Sequence, residues 1–280
     1  MGELMYHTDM SSDQIDAILG GGSVAPRASG RLPELTIVSR RKDADGNDVT
    51  QFLGQFYIKN HDVVAYAPEV KIRVLSQLFQ WIDFDDEAMK VRNKTIMIPE
   101  LWKEARDEQG GLRCGKPLAK EMTDWTREQK AKYNSINLFR QLRCIVSYEG
   151  KDVDGNVHTI ENVPCIIMNK RSSYNAFEND VIKKLSGKKF IDYNIDVTTQ
   201  ENEMGSVLYY TWKYKADMSK IIPMDEDVVQ TRVHFANMVK EENDRIEASH
   251  ERNLRGMTYS HNEAALEALE ADLDDDLQDE

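Results

Sequence analysis

Residues 70–84 read VKIRVLSQLFQWIDF. Valine, isoleucine and aromatic residues recur through the run, and neither glycine nor proline interrupts it. It therefore reads as one long strand, or as two strands joined by a bend. Side chains alternate across a strand. Val70, Ile72, Val74, Leu78 and Ile82 then make a core face, and Lys71, Arg73, Leu75, Gln77, Phe79 and Trp81 the opposite one, provided no bulge breaks the alternation. Cations and aromatic rings on one sheet face set the direction of the rest of the reading.

Similar runs recur on both sides. LTIVS (35–39) and QFLGQFYI (51–58) flank KDADGND (42–48), while RCIVSYEG (143–150) and ENVPCIIM (161–168) flank KDVDGN (151–156). Asp-Gly is a hairpin signal, so two hairpins of one design are expected, from a duplicated β unit or a single barrel. A calcium loop does not fit, because counting from Asp43 puts Asp48 at position six and Gly54 at position twelve, where Gly and Glu are needed. FIDYNIDV (190–197) and VLYYTWKYK (207–215) make a third hairpin, with Leu208, Tyr210, Trp212 and Tyr214 on one face and Tyr209, Lys213 and Lys215 on the other. In QFLGQFYIK, Phe52, Phe56 and Ile58 face inward and Tyr57 and Lys59 outward.

Helices are expected over 12–19, 99–109 and 174–187, the last stopped by Gly187. A further helix opens at the Thr126/Gln129 capping box and runs to about Leu142. The last, over 226–253, is apolar at Val229, Val233, Ala236 and Val239 and stops at Gly256. These elements give a mainly β (α+β) chain: an N-terminal arm and Gly/Ser/Pro linker over 1–32, a core over 33–255, and an acidic tail over 256–280.

The 280 residues are 40% hydrophobic and 8% aromatic, enough for a real core. No run approaches the roughly 18 apolar residues of a membrane helix, and the acidic N-terminus lacks the order of a secretory signal. Cys114, Cys144 and Cys165 are odd in number and widely spaced, which fits a reducing compartment: the cytoplasm, a host's if the chain is viral. Of the formal charge of −13, nine negative charges lie after Arg255 with no Lys or Arg among them, leaving −4 for residues 1–255. A body so near neutrality has room for a basic groove.

Chemistry is harder to place. Gly110 to Lys116 satisfies GxxxxGK, yet Pro117 stands where a phosphate loop needs a hydroxyl and the preceding stretch is polar. A flexible basic loop carrying Arg113, Lys116 and Lys120 is the better reading. Cys144, His158 and Cys165 fall near one hairpin without a fourth ligand or a close pair. No GxSxG elbow occurs. The sequence points to no enzyme, cofactor or metal.

What remains is stacking surface and cation. A single-strand binding face needs aromatics for bases and cations for phosphates. Tyr57, Phe79, Trp81 and Tyr209 are the stacking candidates, with Trp212 in reserve; Lys59, Lys71, Arg73, Lys188, Lys189, Lys213 and Lys215 are the cations. Basic clusters at Arg40–Lys42, Lys170/Arg171 and Lys183/Lys184 add to them. In the tail, Leu266, Leu269, Leu273 and Leu277 stand among carboxylates, so a short helix precedes a disordered end. Its acids, Asp272, Asp274, Asp275, Asp276, Asp279 and Glu280 among them, are candidate partner contacts and competitors for the groove.

Body and tail together resemble the single-stranded DNA-binding proteins of tailed bacteriophages, over about Leu35 to Ile222 plus the tail. The resemblance implies an elaborated OB-like barrel with an inserted helix, binding of single-stranded DNA in replication or recombination, and an acidic C-terminus that meets replication proteins. The chain departs from that pattern in ending Leu277-Gln-Asp-Glu280 rather than on an aromatic residue. Homo-oligomers fit this reading, and a membrane does not. The alternatives are a transcription or replication regulator acting through protein contacts, and a metal-dependent nuclease.

Overall fold

The computed structural model describes residues 32–39, 51–117, 125–205 and 207–276, with residues 257–276 as backbone. The expected helix over 12–19, the linker, Arg40–Lys42, the first Asp-Gly turn, Lys120, Leu277, Asp279 and Glu280 lie outside the described residues.

Eight strands form one sheet: β1 Glu34–Ile37, β2 Phe56–Lys59, β3 Glu69–Asp85, β4 Lys90–Lys94, β5 Ile136–Lys151, β6 Val157–Asn169, β7 Ile195–Met204 and β8 Val207–Ala216. Their order is β2-β1-β6-β5-β3-β7-β8, with β4 on β3. All described ladders are antiparallel except β1 with β6. The hairpins expected around residues 151–156 and 205 are present as β5–β6 and β7–β8. The sheet curls until its two ends meet. Phe56 of β2 lies 5.1 Å from Trp212 of β8, ring to ring, and the Thr199 hydroxyl of β7 donates to the Gly54 carbonyl at 2.8 Å. Gly54 is required there, since its φ is +74° and a Cβ would strike the Tyr210 ring at 2.6 Å. The fold is a mainly β half-barrel with peripheral helices.

Inside the curl, Val70, Ile72 and Val74 of β3 pack with Leu142, Cys144 and Ile167, and Phe177, Val181 and Leu185 lie over them. Val181 and Leu185 come from a helical stretch, Glu178–Ile182 running into Lys183–Leu185, with Phe177 capping its start; it ends at left-handed Ser186 and Gly187. The stop expected at Gly187 is thus displaced by a single residue.

The long strand carries a bulge, and the bulge corrects the sequence reading. Val74 pairs with Cys144 but Ser76 with Arg143, so Leu75 is the extra residue. Beyond it the faces exchange. Gln77, Phe79 and Trp81 turn to the same side as Val74, while Leu78 and Ile82 turn to the other. Trp81 therefore shares no face with Lys71 and Arg73.

Two helix assignments also change. Residues 99–109 form turns and isolated bridges rather than a helix, held by the Asp107 carboxylate, which accepts from the amides of Gln109, Gly111 and Cys114. The capping box at Thr126 and Gln129 is present, but it opens only α1, Arg127–Ser135; Ile136–Leu142 belongs to β5 between β3 and β6. The last helix, α2, runs Glu226–Asp276 and passes through Gly256 without stopping. It lies on the outer side of β3 with Val228, Phe235 and Ile246 buried, while Val229 and Val233 of the expected apolar stripe are exposed. Asn243 brackets Met97, taking its N–H at 2.8 Å and donating to its carbonyl at 3.0 Å, and His250 bonds the Asp107 carbonyl at 2.9 Å. No described helix is long and apolar enough to cross a membrane.

Candidate nucleic-acid interface

The loop Gly110–Lys116 and α1 build the most suggestive cluster. Left-handed Arg113, Cys114 and Gly115 bend the chain sharply, and Asp107 fixes the bend from below. Lys116 then reaches the C-terminal end of α1, where its ammonium donates to the carbonyls of Tyr133 at 2.7 Å and Ile136 at 2.5 Å. Those carbonyls carry the negative end of the helix dipole, so a cation is favoured there. The same ammonium stands 3.9 Å over the Tyr133 ring and 5.9 Å from the Trp81 ring. Trp125 meets Tyr133 edge-on at 4.8 Å. Lys132 lies against Gly115, where a Cβ would meet its ammonium at 3.1 Å.

Arg171, tied to Asn137 by a 3.2 Å hydrogen bond, completes the group. The Lys116 ammonium titrates below its ordinary value, first because it is half-buried and second because Arg171 repels it. Among the described residues neither cation has a carboxylate within ion-pair distance, in contrast to Arg92, Lys94 and Arg140. Lys116 and Arg171 thus bring two neighbouring cations, without a carboxylate partner among the described residues, to the side of Trp81, Tyr133 and Trp125.

The residues chosen from sequence scatter around this cluster. Trp81 belongs to it, half-buried. Phe79 does not: it is packed among Ile98, Ala105 and Tyr174. Trp212 is likewise buried, stacked at 6.0 Å on Tyr214 and tilted against Phe56, so the reserve role is withdrawn. Arg73 is the third correction. Its buried guanidinium donates to the carbonyls of Ile191, Ile222 and Pro223 at 3.0–3.1 Å, pinning the lead-in to α2 to the sheet. It is a structural clamp, unavailable to phosphate.

Lys71, Lys213 and Lys215 are exposed on the outer side of β3 and β8. Both Lys71 and Lys215 neighbour Asp196 across β7, so this face mixes charge. Lys188 and Lys189 are exposed in the turn before Phe190. Tyr209 is half-buried opposite Asn202. Tyr57 is half-buried 5.6 Å from Tyr66, and exposed Lys59 pairs with Glu34 on β1. Asp272, Asp274, Asp275 and Asp276 fall on the helical backbone of α2. His158 bonds Asp152 at 2.8 Å, at the far end of β6 from the Cys144–Cys165 pair.

Sequence reasoning passed over Tyr133 and Trp125. Both flank or end the capping-box helix, and expecting that helix to run on to Leu142 hid the switch into β5 at Ile136, where Lys116 meets Tyr133. No protein-family model, curated protein or solved structure matches this chain.

Proposed function

We propose that the protein binds single-stranded DNA with little regard to base sequence and protects it during replication or recombination, without doing chemistry on it. The observation that carries this reading is the Lys116–Arg171 pair, without a carboxylate partner among the described residues, beside Trp81, Tyr133 and Trp125. Phosphate relieves the repulsion between the cations, and the rings offer stacking surface that every base can use. A curled, half-open barrel is also the architecture that OB-like single-strand binders use, although this sheet has eight strands rather than the five of a minimal OB-fold.

The test is a titration of the full chain with single- and double-stranded oligonucleotides across a salt series, with and without magnesium. Binding to single strands is expected to weaken with salt, with a log–log slope of about −0.7 per phosphate neutralised. Arg171→Gln is expected to make that slope shallower by roughly that amount for one lost contact. A flat salt response, or no binding, ends the reading and favours a regulator that works through protein contacts. Loss of intact oligonucleotide with magnesium points to the nuclease.

A further inference from the structure

A second feature lies on the other side of the sheet. Where α2 crosses β3, a cleft of about 460 Å³ is lined by Leu75, Leu78, Phe235 and Val239, with the cations Arg232 and Lys240 beside them. It coincides with a gap in the pairing of β3: β7 reaches only as far as Ile72, and the next neighbour on that edge, Ile98, meets Phe79. Arg232 has no carboxylate partner among the described residues, and Lys240 shares only the exposed Asp244 of its own helix.

The same helix carries a segment of complementary chemistry. Leu266, Leu269 and Leu273 recur at spacings of three and four along backbone that is helical to Asp276, interspersed with Glu263, Glu267, Glu270, Asp272 and Asp274. Such spacing gives one helix an apolar stripe with acids around it. The stripe and the cleft cannot meet within one chain. Continuous helix separates Lys240 from Glu263 by roughly 35 Å, at about 1.5 Å per residue.

We propose that the cleft receives the acidic leucine segment of a second copy of the chain, exchanged reciprocally to give a two-fold dimer. Apolar side chains on both partners leave water together, and carboxylates of the visiting helix meet Arg232 and Lys240. This is the helix-in-groove mode of recognition applied to the chain itself.

Sedimentation equilibrium of the full chain over a wide concentration range tests the exchange. The wild-type chain is expected to dimerise, and the double variant L269D/L273D to weaken dimerisation at least about tenfold, beyond 1.4 kcal/mol. The altered positions lie beyond the last described side-chain contacts of α2 with the body, so the variant keeps its far-UV circular dichroism spectrum and loses only the part of its melting temperature that dimerisation supplies. Arg232→Glu, at an exposed position on the cleft itself, is expected to weaken the dimer in the same direction. A wild-type chain that stays monomeric overturns the proposal. So does a leucine variant that dimerises as tightly as the wild type, which would place the interface elsewhere. None of these results depends on whether the protein binds DNA.

Discussion

At the scale of single residues, burial separates structural from functional side chains that look alike in the sequence. Arg73, on the strand read over 70–84, and Arg171, in a basic cluster, look alike as cations in the sequence, but one donates to the carbonyls of Ile191, Ile222 and Pro223 and the other stands exposed near Lys116. Arg73→Ala leaves those carbonyls without a donor, and is expected to cost about 3 kcal/mol of stability with little change in oligonucleotide affinity per folded molecule. Trp81→Ala is expected to do the reverse, losing about 1–3 kcal/mol of single-strand affinity and less stability than the roughly 3–5 kcal/mol of a fully buried aromatic. Melting and titration of both variants decide the pair. The thiols make a separate test. Burial pushes Cys114 and Cys165 up to about 12 and Cys144 well above its ordinary value, so at pH 8 almost none is thiolate. A disulfide-exchange reagent is expected to titrate the three only after unfolding; prompt reaction of the native protein would contradict that burial. Val70, Ile72 and Val74 were legible as core because alternation holds as far as Leu75. Phe79 was not, because nothing in VLSQLF announces an extra residue.

At the scale of elements, the bulge decides which residues reach which surface. Leu75 is buried beside the cleft, and the one-residue shift it introduces sends Phe79 and Trp81 inward and Leu78 to α2. Deleting Leu75 leaves Ser76 opposite Arg143 and every later side chain on its observed face, so it removes the kink and the Leu75 packing but not the register. The expected result is a protein that still unfolds cooperatively, followed by circular dichroism in urea. Leu75→Ala keeps the bulge and loses only packing, about 2–4 kcal/mol. Equal damage from the two would mean that the volume of Leu75 matters and the kink does not, whereas loss of cooperative unfolding in the deletion alone would show that the sheet needs the kink. Hairpins were readable because Asp-Gly turns act locally. The helices were less so. INLFRQL carries helix-forming residues, but in the fold it is held between β3 and β6, and such long-range pairing overrides local propensity. Residues 99–109 failed for a different reason: Asp107 spends its carboxylate on three loop amides, an arrangement visible only once Gly111 and Cys114 are brought beside it.

For the whole molecule, the decisive quantity is where the charge sits. Nine of the negative charges lie after Gly256, on a segment whose backbone is helical as far as Asp276. A flexible tail would search the whole body and occupy a basic site at high effective concentration. A helix continuous with α2 is a rod, and its acids act on DNA approaching Lys116 and Arg171 mainly through the long-range field. That field is screened over about 8 Å at physiological salt and reaches roughly 30 Å at 0.01 M. A chain ending at Arg255 has a formal charge of −4 rather than −13 and is therefore expected to bind single strands more tightly at low salt. The two forms are expected to converge near physiological salt, where a long-range field is screened within about 8 Å. Groove competition by a flexible tail predicts otherwise: direct contacts inside a half-buried site are screened less, so a difference persists into physiological salt. Dissociation constants of both forms, measured across the same salt series, separate the two pictures. Convergence supports the rod, a persistent gap supports the tethered competitor, and identical affinities even at 0.01 M would show that the acidic segment has no bearing on nucleic acid at all.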